Sequence, residues 1–283
     1  MKYAITAATG NFGQTAVKDL AAKVGKENVV VIARNTEKAQ KLFPGFEVRE
    51  GNYDSQESVA KALKGVDKVL FISSQPGGKV ARDQQHKNVV AALKEAGVSF
   101  VAYTSFTDAQ NSTSALAADH KLTENLLKDS GIAHSFLRDN WYLEDEIGFI
   151  QSGANKQTAA YWAAGKAGWA LEREYAEAAV NVLTADNPKE VYEFGGQLHD
   201  YEDLGKALQE ATGNTFPVAK VSKDDYIKAL VASGLDEGTA AMFASFQDPI
   251  QDGSLDYASN DLAEVLGREP LSLPEAIKEI LSR

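Results

Sequence analysis

The fold of this chain is decided near its start, where residues 2–34 read KYAITAATGNFGQTAVKDLAAKVGKENVVVIAR. Residues 2–6 and residues 28–33 predict two strands, and residues 14–24 predict a helix between them. A strand, a glycine-bearing turn, a helix and a second strand together make a βαβ unit. The opening of the chain therefore predicts a parallel sheet with a helix packed against it.

The turn between the first strand and the helix reads AATGNFG over residues 7–13. Gly10 and Gly13 carry no side chain, so backbone N–H groups can approach a pyrophosphate at the positive N-terminal end of the helix. The flanking strand and helix are the context in which this pattern indicates a dinucleotide site rather than a structural turn. We therefore expect the cofactor to contact Thr9, Gly10, Asn11, Phe12 and Gly13.

The end of the second strand indicates which dinucleotide binds. An Asp or Glu at this position accepts from the ribose 2′-hydroxyl of NAD, whereas an Arg accommodates the 2′-phosphate of NADP. The chain has Arg34 there, with Lys38 following in the same segment. The alternative is that both are solvated cations at a helix start, but a planar guanidinium suits phosphate recognition. Arg34 and Lys38 thus favour NADPH over NADH.

The composition excludes several classes of protein. The chain has 283 residues, a formal net charge of -11, no cysteine and four histidines. An acidic chain without a basic run is not expected to bind nucleic acid or an anionic membrane surface. The absence of cysteine excludes disulfides and thiolate metal sites, and the histidine spacing gives no metal-binding pair. With no leader or membrane-spanning run, we expect a cytoplasmic protein that holds no metal.

Strand and helix patterns alternate up to a sixth strand at residues 133–137. This alternation predicts an α/β fold with a doubly wound parallel sheet of the Rossmann type. Beyond it, helical patterns dominate. We therefore predict an NADP-binding domain over residues 1–139, with contributions from about 158–195, and a smaller helix-rich C-terminal substrate domain over residues 140–283.

Ligands of doubly wound sheets bind beyond the carboxyl ends of the strands. The loops that begin at Ser73, Thr104 and Arg138 are therefore expected to line one crevice with the glycine turn. Ser73 and Ser74 are predicted to contact the cofactor through the backbone. Thr104 and Ser105 are predicted to contact it from the end of the fifth strand, although a serine after a strand is often a turn former.

Several short motifs together resemble the NmrA-like atypical short-chain dehydrogenases, in particular the quinone and triphenylmethane reductases among them. They are ATGNFG at 8–13, RN at 34–35, ISS at 72–74, YTS at 103–105, LRDNWY at 137–142 and LGREP at 266–270. The resemblance runs along the whole chain and implies a flavin-free protein that binds NADP(H). In the enzymatic branch of the family it implies direct hydride transfer to a quinone or a similar conjugated acceptor.

Three positions depart from the pattern of this family. Ala7 replaces the first glycine of the turn, Asn52 stands where relatives often carry Asp near the adenine, and Asp139 stands where relatives carry Asn. The extra carboxylate of Asp139 lies beside the sixth-strand loop. It is therefore expected to alter what the substrate pocket accepts.

Typical short-chain dehydrogenases carry a Tyr-x-x-x-Lys pair on the helix after the fifth strand. Aligned on Glu124, which matches a helix glutamate of the family, the chain has Leu116 at the Tyr position and His120 at the Lys position. Without the tyrosine, no residue at these positions would protonate the alkoxide that forms when a simple ketone is reduced. A quinone instead accepts hydride to give a weakly basic phenolate, which takes its proton from water. The missing tyrosine thus favours a quinone-type acceptor.

His120 is the candidate catalytic residue, since an imidazole can bond the ribose or relay a proton at neutral pH. The alternative is one polar residue on an amphipathic helix without a visible partner. Phe106 after the fifth strand and Trp141 after the sixth are candidate substrate contacts, because flat rings stack on a flat acceptor. Either ring could instead belong to the core, where Trp usually lies.

Two functions from different classes fit these observations. The first is an NADPH-dependent quinone reductase whose partner is a small quinone-like molecule, with no nucleic acid or membrane partner. The second is a non-catalytic NADP(H)-sensing regulatory protein of the NmrA type. The aromatic residues after the strands favour the reductase, and the sequence leaves a homo-oligomer open.

Overall fold

The computed structural model describes residues 1–75 and 77–283 of the chain. Its strands are β1 Tyr3–Ile5, β2 Val29–Ala33, β3 Glu47–Glu50, β4 Lys68–Phe71, β5 Phe100–Phe106, β6 Ala133–Asp139, β7 Trp141–Tyr142, β8 Ala159–Tyr161, β9 Trp169–Ala170, β10 Val191–Phe194 and β11 Val218–Lys220.

The helices alternate with these strands in the first half of the chain and predominate in the second. They are α1 Asn11–Val24, α2 Thr36–Leu42, α3 Gln56–Ala62, α4 Arg82–Glu95, α5 Ala117–Ser130, α6 Ile147–Ala154, α7 Glu172–Thr184, α8 Tyr201–Thr212, α9 Lys223–Ala232, α10 Glu237–Ser245, α11 Asp248–Gln251, α12 Asp261–Leu266 and α13 Leu273–Ser282. A 3₁₀-helix at Leu143–Glu146 leads from β7 into α6.

Seven strands form one parallel sheet in the order β10-β6-β5-β4-β1-β2-β3. The strand order reverses at β1, which pairs with β2 on one side and with β4 on the other. This topology confirms the predicted doubly wound α/β fold. The sheet has one strand more than the six that precede residue 140, because Val191 of β10 pairs with Phe136 of β6.

The two faces of this sheet are covered by different helices. On one face α1 and α7 bury alanine and valine side chains against the sheet, and on the other α3, α4 and α5 bury residues such as Val59, Leu93 and Leu127. Because both faces are covered, the central strands are apolar throughout, and all five residues of β2 are buried. The polar ends of the strands are therefore the part of the sheet that a ligand can reach.

Helix α1 begins earlier than the sequence indicates. The pattern predicts a helix from residue 14, whereas α1 starts at Asn11 with Gly10 as its N-cap. Asn11, Phe12 and Gly13 thus lie in the first helical turn, where backbone N–H groups have no intrahelical acceptor. The physical reason is that the Gln14 backbone N–H donates a hydrogen bond to the Gly10 carbonyl oxygen, which closes the first helical turn.

The second half of the chain contributes a third apolar cluster, which includes Leu204 of α8 and Ile277 of α13. Two small sheets, β7 with β9 and β8 with β11, lie in this half. No helix within the described residues combines the length and apolar composition needed to cross a bilayer. The division of the chain at residue 139 stays a prediction.

Candidate active site at the carboxyl edge of the sheet

The two glycines of the first turn differ in what surrounds them. A Cβ atom on Gly13 would lie 2.6 Å from Ala8 Cα and 2.8 Å from Ala7 O, so Gly13 lets α1 pack closely against the turn. A Cβ atom on Gly10 would meet only Ala7 O, at an ordinary 3.6 Å. Gly13 is thus required by the protein itself, while Gly10 is exposed and leaves space for a ligand.

Ala7 takes the conformation that a glycine usually supplies. Its φ is 48°, in the left-handed region that L-residues with a Cβ atom adopt at a cost. The substitution of the first glycine by alanine therefore leaves the turn geometry in place. It adds strain to the backbone at the base of the site.

Arg34 and Lys38 stand together at the carboxyl end of β2, and both side chains are exposed. Between them, Asn35 caps α2 by accepting a hydrogen bond from the Lys38 N–H at 2.9 Å. The cap fixes the path of the chain immediately after Arg34. Arg34 therefore follows β2 at the edge that carries Gly10, and its predicted contact with a 2′-phosphate stays a prediction.

The loop after β4 is tied to the end of β5. Thr104 Oγ1 accepts a hydrogen bond from the Ser73 N–H at 2.9 Å. His86 Nε2 accepts one from the Ser74 N–H at 3.2 Å. The Ser74 hydroxyl oxygen is buried and has no hydrogen-bond partner within residues 1–75 and 77–283. The structure thus holds Ser73, Ser74 and Thr104 together at one edge.

Ser105 belongs to a buried ionic cluster beside that edge. Its hydroxyl donates to Glu124 Oε1 at 2.7 Å, and Arg138 makes two hydrogen bonds of 2.8 Å to the same carboxylate. A third nitrogen of Arg138 reaches Glu193 Oε1 at 2.8 Å. Burial opposes ionisation of Glu124, but the hydrogen bonds from Arg138, Gln110 and Ser105 lower its pKa overall. Ser105 and Arg138 therefore hold β5, β6, α5 and β10 together.

His120 is buried and has two partners that the sequence did not reveal. A guanidinium can only donate, so the Arg82 nitrogen 3.0 Å away donates to His120 Nε2. Nδ1 then carries the ring proton and donates to the Tyr103 hydroxyl at 2.9 Å. Burial and the nearby Arg82 and His86 hold the pKa of His120 well below its usual value. His120 is accordingly a neutral imidazole with a fixed tautomer.

The aromatic candidates both lie against the third apolar cluster. Phe106 is the last residue of β5 and is 5% exposed, with its ring stacked on that of His120 at a centroid distance of 6.2 Å. Trp141 is 9% exposed and meets the Phe246 ring edge-on at 6.5 Å. Both side chains are therefore largely covered by protein. Their predicted contact with an acceptor stays a prediction.

Carboxyl groups crowd the same edge, which the sequence indicated only at Asp139. Asp139 ends β6, is 6% exposed and has one oxygen without a hydrogen-bond partner among the described residues. Glu172, the first residue of α7, accepts from the Phe12 N–H at 3.0 Å. No local pattern could reveal this contact, because its partners are 160 residues apart in the chain.

A cavity of about 970 Å³ lies elsewhere, beside β10 and the starts of α8 and α13. Its lining includes Gly196, His199 and Leu271 but none of the site residues predicted from the sequence. We assign the candidate site to the carboxyl edge instead, because the turn, the exposed cations and the buried unpartnered oxygens of Ser74 and Asp139 lie there. Within the part of the chain that the structure describes, no cluster of side chains could hold a metal ion.

The residues at the edge fit a dinucleotide phosphate. Gly10 provides a cradle that a Cβ atom would narrow, and the first turn of α1 provides N–H donors. The unpartnered oxygens of Ser74 and Asp139 lie at the ends of β4 and β6, where the rest of such a ligand would extend. The site is therefore built for an elongated polar molecule that starts at the turn.

Comparison with known proteins agrees with this geometry. Residues 7–167 match the model of a family described as NAD(P)H-binding. Quinone oxidoreductase 2 of Escherichia coli is 34% identical over 283 residues, which cover 99% of this chain and 98% of that protein. An NmrA-like family domain-containing oxidoreductase of Aspergillus flavus is 25% identical and is matched over 99% of this chain and 95% of its own.

Solved structures of these reductases are also similar to this chain. The triphenylmethane reductase of Citrobacter sp., solved in complex with NADP(H), superposes with a TM-score of 0.93 at 31% identity, covering 99% of each chain. The NADPH complex of the Escherichia coli NADPH-dependent quinone oxidoreductase gives a TM-score of 0.89 at 34% identity, again over 99% of each chain. The resemblance inferred from the motifs is thereby confirmed. This chain belongs to the NAD(P)H-binding family and is an oxidoreductase of the quinone- and triphenylmethane-reductase type.

Proposed function

We propose that this protein is an NADPH-dependent reductase that transfers hydride directly, without flavin, to a quinone or a similar conjugated acceptor. The observation that carries the proposal is the state of position 120. Arg82 donates to His120 Nε2, so the imidazole is neutral and its one ring proton is given to Tyr103. Leu116, which aligns with the family's tyrosine, has no proton to donate, so neither position would offer a proton donor to the acceptor.

An acceptor that needs no positioned acid suits this arrangement. Reduction of a ketone requires a proton at the forming alkoxide, and general acid catalysis typically contributes about 10²–10⁴-fold. A quinone that takes a hydride becomes a delocalised phenolate, which collects its proton from water. The relatives named as quinone and triphenylmethane reductases support an acceptor of this conjugated type.

Different residues at this edge would bind different parts of NADPH. The first turn of α1 would hold the pyrophosphate, and Arg34 would hold the 2′-phosphate. Ser73 and Thr104, joined by their hydrogen bond, would support the nicotinamide half of the cofactor. NADPH, when bound, supplies the hydride. Phe106 and Trp141 would present apolar ring surface to a flat acceptor.

The test is rapid-mixing oxidation of NADPH by the purified protein with a panel of quinones and triphenylmethane dyes. We expect no flavin absorbance in the protein, and a slower single turnover when the transferred hydrogen of NADPH is deuterium. Flavin that copurifies in stoichiometric amount would contradict direct transfer. Tight NADPH binding without oxidation by any acceptor would favour the NADP(H)-sensing alternative instead.

A further inference from the structure

The N-terminal end of α1 already holds an anion that belongs to the chain itself. Glu172 Oε1 accepts a hydrogen bond from the Phe12 backbone N–H at 3.0 Å. Phe12 is the second residue of α1, where the N–H has no acceptor within the helix. The same N–H group lies in the turn that would receive a pyrophosphate oxygen. A carboxylate and a phosphate cannot both accept from this donor.

The backbone of Glu172 is fixed, whereas its side chain can move. Glu172 begins α7, and its own N–H donates to Glu144 Oε2 at 2.8 Å. Glu144 is held in turn by Arg283, whose guanidinium lies 2.9 Å from its other oxygen. The Glu172 carboxylate, by contrast, is half-buried at the rim of the turn. Rotation about its side-chain bonds would release Phe12 without moving α7.

The titratable and charged groups around Glu172 come from three other parts of the chain. Glu144 and Asp145 face it from the 3₁₀-helix, Asp139 from the end of β6, and Arg283 from the far end of the described chain. Burial and the charge of Glu144 raise the pKa of Glu172, while the Phe12 N–H, the Asn11 side chain and Arg283 lower it less. A second anion arriving at this turn would therefore meet a surplus of negative charge.

We infer that the Glu172 carboxylate competes with the pyrophosphate of NADPH for the Phe12 N–H, and must leave that position or lose its charge when NADPH binds. Glu172 then lowers the affinity for the cofactor. The inference rests on the proposed function, because it takes the turn to be the NADPH site. It also makes binding pH-dependent: proton uptake by the carboxylate removes the competing charge, so affinity falls as the pH rises.

The test compares Glu172→Gln with the wild type by calorimetric titration of NADP⁺ and NADPH at several pH values between 5 and 8. We expect the variant to bind both at least about tenfold more tightly at pH 8, since it no longer places a charged acceptor on Phe12. The variant should also show a weaker dependence on pH. The phosphate groups of the cofactor titrate in the same way with either protein. The test is therefore the difference in pH dependence of the affinity between the variant and the wild type.

Glu177→Gln is the matched control, because it makes the same change on the same helix in a side chain that pairs with Arg268 at 2.6 Å. Its NADPH affinity should equal that of the wild type. Glu172→Ala removes the acceptor as well as the charge and should also tighten binding. Weaker NADPH binding in both Glu172 variants would overturn the inference and make Glu172 a structural cap of α1.

A second measurement uses the cofactor-free protein. In a ¹⁵N-resolved spectrum the Phe12 amide resonance should titrate with pH in the wild type and in Glu177→Gln, and should shift much less in Glu172→Gln, where only neighbours such as Asp139 and Asp145 still titrate. An amide that does not respond in the wild type would overturn the inference even if NADPH binds. A wild-type protein that titrates at Phe12 but binds neither NADP⁺ nor NADPH would instead overturn the proposed function and leave the contact established.

Discussion

The Tyr142 hydroxyl donates a hydrogen bond of 2.7 Å to Asp139 Oδ2, so a phenol rather than a cation holds the carboxyl group that ends β6. Burial, assisted by the charge of Glu172 and opposed by the Tyr142 hydrogen bond, raises the pKa of Asp139 to about 8. Asp139 is therefore a protonated acid at neutral pH.

Replacing Asp139 by Asn should stabilise the protein in alkaline solution. The pKa of Asp139 is about 8 in the folded state and near the ordinary 3.8 when unfolded, so the folded state binds the extra proton between these values. Stability conferred by the acid form is thus lost as the pH rises through this window. We expect Asp139→Asn to raise the free energy of unfolding at pH 8 by on the order of 3 kcal/mol. Urea unfolding of both proteins at pH 5 and pH 8 measures this change. If the stability of the wild type and of the variant changed equally with pH, the prediction would be contradicted.

The two glycines of the turn should respond differently to the same change. Gly13→Ala forces its Cβ atom against the backbone of Ala8, so we expect a loss of about 1–3 kcal/mol in stability. Gly10→Ala meets only ordinary contacts and should leave the unfolding midpoint unchanged while weakening NADPH binding. Thermal unfolding and calorimetric titration of both variants separate the two effects. Equal stability losses would show that Gly10 serves the fold as well.

Arg34→Ala should discriminate between the two nicotinamide dinucleotides. A hydrogen bond to a charged group is typically worth about 1.5–3 kcal/mol, which corresponds to tenfold or more in the dissociation constant. NADPH should lose that affinity, whereas NADH, which has no 2′-phosphate, should lose little. Titration of both cofactors with the variant measures the ratio. An equal loss for the two would refute the assignment of Arg34 to the phosphate.

Ala7→Gly should stabilise the protein slightly. The left-handed conformation of Ala7 costs a residue with a Cβ atom about 1–2 kcal/mol, and glycine would remove this cost. Glycine also makes the unfolded chain more flexible, which lowers the stability of the folded state by about 0.5–1 kcal/mol. We expect a net gain of up to about 1 kcal/mol. The measurement is the midpoint of urea unfolding. A destabilised variant would mean that the methyl group makes contacts worth more than the strain.

His120→Ala should lower the single-turnover rate of quinone reduction only modestly, because the neutral imidazole gives its ring proton to Tyr103 and not to a substrate. Phe106→Ala is the comparison, since loss of its ring should raise the Michaelis constant for the quinone with little effect on NADPH affinity. A loss of a hundredfold or more with His120→Ala would fall in the range of general acid catalysis. That result would make the histidine the proton donor.

The sequence revealed those parts of the site that are local in the chain. The turn at Gly10, the cation at Arg34 and the strand ends at Ser73 and Thr104 follow from spacing within one or two elements. The contact of Glu172 with Phe12 and that of Arg82 with His120 did not follow, because they span 160 and 38 residues. Such pairs are set by how helices pack on the sheet, which periodicity does not encode.

The same limit applies to the fold. The alternation of strands and helices predicted six parallel strands, since each is bounded by its own helix. The alternation did not predict which strand pairs with residues 191–194. The pairing of β10 with β6 joins two strands that are far apart in the sequence, so no local pattern indicates it. The register of that pairing is supported by Arg138, which joins Glu124 and Glu193.

Helix α7 and strand β10 lie late in the chain but complete the sheet that the first residues begin. In a hybrid assembled from two relatives, a junction near residue 140 would therefore pair one parent's α1 with the other parent's α7 and split the Arg138–Glu193 ion pair between parents. Exchange of residues 140–171 and 195–283 alone would instead require three junctions, so that residues 172–194 stay with the N-terminal parent. Recombination between members of this family is constrained by that interleaving.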